Sequence, residues 1–171
     1  MVVVITGPES SGKSTLHELL AQEYSCDRIS EYAREYLNSS SYTFQELEHI
    51  AQTQLKKISE AKLKTHADEL VLADTGNLVL EVWFEEVFNQ LPEGWTEHIK
   101  TAIPDLYLLC APDIPWEKDE LRENPSDRQR LFEIYQQKLA DRGIEYVVLR
   151  GDLESRIAKA KKSIAKKKAA L

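Results

Sequence analysis

Residues 7 to 14 read GPESSGKS, which places two glycines, a lysine and a serine at the spacing G-x-x-x-x-G-K-[ST]. Each of these residue types has work to do around phosphate. Gly7 and Gly12 allow backbone angles tight enough for successive N–H groups to point at phosphate oxygens. Lys13 adds a full positive charge and the Ser14 hydroxyl is a ligand for Mg²⁺. A helix starting at this point turns its positive dipole end toward the same anion. The stretch Gly7, Pro8, Glu9, Ser10, Ser11, Gly12, Lys13, Ser14 and Thr15 is therefore read as the site for the phosphates of a nucleotide. A glycine-rich turn that binds nothing is the bland alternative.

Further along the chain, Asp74 closes the apolar run Leu70-Val71-Leu72-Ala73. A carboxylate there can serve Mg²⁺ through water, since Ser14 alone supplies little negative ligation. It can equally cap the next helix through the turn Thr75-Gly76-Asn77. Glu31 and Arg34 are three apart. They form either an exposed salt bridge, worth a few tenths of a kcal/mol, or a general base beside an arginine that holds the phosphate acceptor. Arg122, Arg128 and Arg130 follow the fourth apolar run. With Ser126 as helix N-cap, Arg128 falls at the second and Arg130 at the fourth helical position, where the dipole disfavours a cation. Arginines of a closing lid neutralise charge on a transferring phosphoryl group. The competing account is a surface ion pair with Asp127.

The elements that must carry these residues are legible in the patterning. Val2 to Ile5 is a continuous β-branched run, as in a strand buried on both faces of a parallel sheet. Further strands are expected at 28–30, 69–74, 105–110 and 145–149. Leu16, Leu19, Leu20 and Tyr24 mark a helix after the phosphate loop. Thr43 and Glu46 form a capping box with Tyr42 and Leu47 at staple spacing, and open a long helix reaching about Thr65. Val79, Leu80, Trp83, Phe84, Val87, Phe88 and Leu91 form a second stripe, read as core. Ser126 and Gln129 make another capping box, and Gly143 stops that helix. Residues 111–125, with prolines at 112, 115 and 125, read as a mobile connection containing a short helical piece, so that the lid spans about 111–130.

Five short strands alternating with helices predict one α/β domain over 1–171, with a parallel sheet and ligands at the carboxyl ends of its strands. The 171 residues carry 42% hydrophobic and 30% charged side chains and a net charge of −7. That balance argues against general nucleic-acid binding, and no run reaches the length of a membrane span. A cytoplasmic location is expected. Cys26 and Cys110 have no disulfide-framework or metal-ligand spacing. The seven basic residues from Arg156 to Lys168, without an acid among them, read as the solvated end of a closing helix at 152–168. An anionic partner is the alternative.

In order and spacing, ITGPESSGKSTL, SEYAREYL, LVLADT, DLYLLCAPDIPWEKDELRENPSDR and IEYVVL resemble the ribosylnicotinamide kinase domain of NadR-type proteins, a family of P-loop kinases. The resemblance covers nearly the whole chain. It implies a P-loop NTPase three-layer sandwich with sheet order 2-3-1-4-5, ATP with Mg²⁺, and transfer of the γ-phosphate to the 5′-hydroxyl of nicotinamide riboside. Carried over by position, Lys13 and Ser14 meet phosphate and metal, and Asp74 serves the metal. Glu31 and Arg34 lie by the acceptor, with Arg122 and Arg128 in the lid. Larger members add an adenylyltransferase and sometimes a DNA-binding segment, for which this sequence is expected to have no room. Gly76 and Asn77 also stand where the family leads one to expect a further acid, which bears on the acceptor. A nucleotide-binding regulatory ATPase or GTPase module is the second reading; the lack of N-K-x-D weighs against a GTPase. A domain that binds nucleotide without catalysis is the third.

Overall fold

The structure is a computed structural model that describes residues 1–39, 41–66, 69–118 and 126–171. At its centre lies β1 (Val2–Thr6), every residue of which is buried. Its side chains alternate between two cores. Val3 and Ile5 join Leu16, Leu20, Leu72 and Leu108 on one face, while Val2 and Val4 join Ile50, Ala73, Phe84 and Leu109 on the other. Each such aliphatic side chain contributes about 1.5–3 kcal/mol by leaving water. That is why a run with no polar alternation occupies the middle strand.

Around β1 are β2 (Asp27–Ile29), β3 (Val71–Asp74), β4 (Leu106–Cys110) and β5 (Tyr146–Leu149), in the order β2-β3-β1-β4-β5. All four pairings are parallel. Helices α1 (Lys13–Tyr24) and α7 (Leu153–Lys168) cover the Ile5 face, through Leu16, Leu20, Ala160 and Ile164. Helices α3 (Phe44–Lys64), α4 (Asn77–Phe88), α5 (Trp95–Thr101) and α6 (Arg128–Asp141) cover the Val4 face. A short α2 (Ala33–Tyr36) links β2 to α3. The result is the expected three-layer sandwich, and register sets Ile5 beside Asp74 and Thr6 beside Leu109, so the strand ends converge on one edge. No described helix is long and apolar enough to cross a membrane.

The capping box of α3 forms as read: the Glu46 carboxylate accepts from the Thr43 N–H at 2.7 Å, and Thr43 Oγ1 accepts from the Glu46 N–H at 3.2 Å. The second one does not. Helix α6 starts at Arg128 with Asp127 as N-cap and no side-chain capping bond. Arg130 Nε draws the Asp127 carboxylate away at 2.8 Å, and Gln129 bonds Glu133 instead. Arg128 and Arg130 are thus the first and third helical residues. The stop at Gly143 holds, with a φ of +61°. Residues 111–118 contain no helix; 119–125, with Arg122 and the rest of the expected helical piece, lie outside the described residues.

Helices α4 and α6 are joined by a buried charge. The Glu81 carboxylate, 2% exposed, accepts from Lys138 Nζ at 2.7 Å, Arg142 Nη2 at 2.5 Å and Trp95 Nε1 at 3.3 Å. Burial pushes its pKa up, but the bonds from Arg142 and Lys138 outweigh that and hold it below the ordinary carboxylate value. The stabilisation is thus fully present above the unfolded pKa, about 4.3, and is lost as pH falls through the lower folded value. Glu81→Gln is expected to cost about 1–3 kcal/mol at neutral pH, a gap that narrows on acidification below about pH 4. Urea denaturation of both proteins across pH checks this; a gap that does not change with pH would refute the assignment.

Candidate functional site

The edge where the strands end forms a cleft lined by residues 7 and 9–15 on one side and by Glu31 and Arg34 on another. The backbone of the loop is contorted as its sequence requires. Gly7 has φ +136° and Gly12 +80°, while Ser10, at +50°, holds a left-handed conformation that costs a non-glycine residue about 1–2 kcal/mol. Pro8 does not line the cleft; its carbonyl accepts from Ser11 Oγ at 2.7 Å and Lys13 Nζ at 2.8 Å. Lys13 and Ser14 open α1, so charge, hydroxyl and helix N-terminus share one wall.

Asp74 lies behind that wall, 3% exposed, at the end of β3 beside Ile5. Its Oδ1 is buried and has no hydrogen-bond partner among the described residues, and the same holds for Thr6 Oγ1 on the neighbouring strand. Buried polar atoms left unmatched in this way are rare and call for an ion or water. The chemistry of these donors suits Mg²⁺: a carboxylate oxygen and the Ser14 hydroxyl are hard ligands of the kind that would hold it alongside phosphate and water. The capping alternative for Asp74 fails, because α4 has Gly76 as N-cap and no side-chain capping bond.

The turn after Asp74 also explains the missing acid. A Cβ on Gly76 would lie 2.9 Å from Val4 Cγ1, so the position has no room for a side chain. Asn77 is buried and its Oδ1 accepts from the Tyr107 hydroxyl. Both residues build the turn rather than face the cleft. The backbone is further pinned by Gln54, whose Nε2 donates to the carbonyls of Asp74 at 3.1 Å and Thr75 at 2.9 Å.

Glu31 is held at both oxygens. Oε1 accepts from Thr75 Oγ1 at 3.1 Å and Oε2 from Arg34 Nε at 2.8 Å, with the carboxylate side chain only 15% exposed. The salt bridge read from the sequence therefore exists, and it lies within the cleft rather than apart from it. Arg128 approaches from elsewhere: Nη1 donates to the Ser10 carbonyl at 2.9 Å and Nη2 to that of Ile114 at 3.1 Å. Arg130 forks between Glu86 and Asp127, with Nη2 2.5 Å from an oxygen of each; for this arginine the ion-pair account is the observed one.

The rest of the cleft was not anticipated. Trp83, Val79 and Val87, assigned to the core from their helical spacing, form one wall, and Tyr42, Leu131 and Tyr135 complete it. Trp83 Nε1 donates to the Tyr42 hydroxyl at 2.5 Å, and the rings pack edge to face at 5.3 Å. A helix carrying two apolar stripes, one for the core through Leu80 and Phe84 and one for a cavity, gives a single broad hydrophobic pattern. Cys110, at the end of β4, is fully buried, and burial pushes its thiol up to about 11, which leaves it inert.

A family model described as an AAA domain matches residues 2–156. No curated protein sequence matches the chain. Among solved structures, the fold is similar to a NadR protein in complex with nicotinamide riboside (NR), at 23% identity and a TM-score of 0.79, covering 98% of this chain and 50% of that one. It is also similar to a NadR protein in complex with NAD and AMP-PNP, at 22% identity and a TM-score of 0.74, covering 98% and 49%. Deoxyadenosine kinase from M. mycoides with bound dATP aligns at 14% identity and a TM-score of 0.63, covering 96% and 100%. The chain thus spans about half the length of the two NadR chains. Likeness at these identities establishes the P-loop kinase fold.

Proposed function

The chain belongs to the AAA domain family, and we propose that it acts as a kinase, moving the γ-phosphate of ATP to a nucleoside 5′-hydroxyl with nicotinamide riboside as the favoured acceptor. One observation carries the reading: the phosphate loop, Glu31 and an aromatic wall of Tyr42, Trp83 and Tyr135 line one continuous chamber. A regulatory module that only senses nucleotide has no use for such a chamber. Its Trp83, Tyr42 and Tyr135 rings suit a flat base, and an electron-rich wall with Glu31 nearby suits the cationic pyridinium of nicotinamide riboside. The ligands bound by the structural neighbours point the same way.

In this reading the loop N–H groups and Lys13 hold the β- and γ-phosphates and offset charge as it shifts to the bridging oxygen. Glu31 accepts the proton of the attacking hydroxyl, while Arg34 and Thr75 fix the carboxylate in place. The hydroxyl oxygen bonds to the γ-phosphorus as its bond to the bridging oxygen breaks, releasing ADP. Ser14 and Asp74 would hold Mg²⁺, which supplies Lewis-acid neutralisation of the phosphates.

The test is a panel of nucleosides, nicotinamide riboside included, incubated with Mg·ATP while ADP release and the phosphorylated product are followed. Acceptor-dependent ADP release with a 5′-phosphorylated product is expected, strongest with nicotinamide riboside. Slow acceptor-independent hydrolysis across the whole panel would instead promote the regulatory reading.

A further inference from the structure

Arg156 stands apart from the other cations of α7. It is 3% exposed, and its guanidinium reaches three loops at once. Nη1 donates to the Ser11 carbonyl at 2.6 Å, Nη2 to that of Ala111 at 3.0 Å, and Nε to that of Gly151 at 2.9 Å. Asp113 pairs with Nη2 and also accepts from the Gly151 N–H at 2.8 Å. The loops following β1, β4 and β5 are therefore fastened to one planar fork. The flexible, compact ammonium of a lysine offers no such fixed array of donors.

In a trans peptide the C=O and the following N–H point in opposite directions. Arg156 holds the Ser11 carbonyl, so the N–H of Gly12 is turned the other way. Arg128 holds the Ser10 carbonyl at 2.9 Å, which turns the N–H of Ser11 likewise. Ser11 and Gly12 line the cleft, whereas neither Arg128 nor Arg156 does. Two consecutive carbonyls are thus anchored on the far side of the loop, with their amides aimed into it. We infer that Arg156, assisted by Arg128, is a positioning residue that holds the phosphate loop in its binding conformation. The inference rests on reading residues 7–14 as the phosphate site. It also explains how Ser10 keeps its left-handed backbone, since strained conformations persist only where neighbours over-determine them.

The test is the affinity of Mg·AMP-PNP, by calorimetric titration, for wild type, Arg156→Met, Arg156→Lys and Arg128→Met, each with its Tm. At temperatures where Arg156→Met is folded, its affinity is expected to fall roughly 10- to 100-fold, with partial recovery in Arg156→Lys and a fall of about tenfold in Arg128→Met. A purely structural role lowers Tm and leaves the affinity of folded protein unchanged; that result overturns the inference. Should Arg156→Met not fold, Arg156→Lys and Arg128→Met decide by the same criterion. Wild type that fails to bind Mg·AMP-PNP overturns the phosphate-site reading itself, a distinct outcome.

Discussion

Glu31→Gln is expected to slow phosphoryl transfer by roughly 10²- to 10⁴-fold while leaving Mg·AMP-PNP affinity nearly unchanged. Glutamine is isosteric and can keep the bond from Thr75 Oγ1, but it cannot accept the acceptor hydroxyl's proton. The Arg34 pair is lost as well. At 41% exposure of the arginine side chain, that pair contributes at most about 1 kcal/mol. Stability therefore changes little while turnover collapses, and the two readouts separate the roles. Turnover is measured by ADP release with the acceptor that the nucleoside panel identifies. Near wild-type turnover would return Glu31 and Arg34 to an ordinary ion pair at the cleft edge.

Much of the fold is legible in the sequence because its signals are local. The four-residue β-branched run from Val2 to Ile5 reads as a doubly buried strand, and G-x-x-x-x-G-K-S between that strand and a helix marks the binding edge. Thr43 and Glu46 cap α3 through contacts three residues apart, which the sequence displays directly. The box at Ser126 and Gln129 loses to competing contacts: Gln129 bonds Glu133, Asp127 bonds Arg130, and Arg130 is tied in turn to Glu86, 44 residues away in the chain.

The positions that were missed depend on tertiary register. Arg156 lies in a basic run that reads as solvated, yet it shares a stripe with Ala160 and Ile164, the other buried residues of α7. That spacing of four was the available signal, and the preponderance of lysines obscured it. Trp83 and Val79 pack against the core as their spacing indicates, and they also line the cleft, which the spacing does not show. Periodicity reports which residues avoid water, and a cavity wall does so much as a core does. Asp74 shows the converse: its placement at a strand end is readable, whereas the unpartnered Oδ1 that speaks against a helix cap needs coordinates.

Gly7→Ala is expected to cost about 2–4 kcal/mol of stability and to abolish measurable Mg·AMP-PNP binding. Two effects combine at this residue. Its φ of +136° lies where side chains are rarely tolerated, and the new Cβ would sit 2.5 Å from the Cys110 carbonyl oxygen. That oxygen belongs to the backbone of β4, buried between its neighbours β1 and β5, so it cannot yield as a flexible side chain would. The loop must move instead, and with it the amides that face phosphate. Gly143→Ala isolates the first effect: φ is +61° there and a Cβ meets nothing within 4 Å. It should cost only about 1–2 kcal/mol and leave nucleotide binding intact. Urea denaturation with Mg·AMP-PNP titration of both variants makes the comparison. If Gly7→Ala is no more damaging than Gly143→Ala, the close approach of the loop to β4 does not set its shape, and its hold on phosphate must be sought in the arginines behind it.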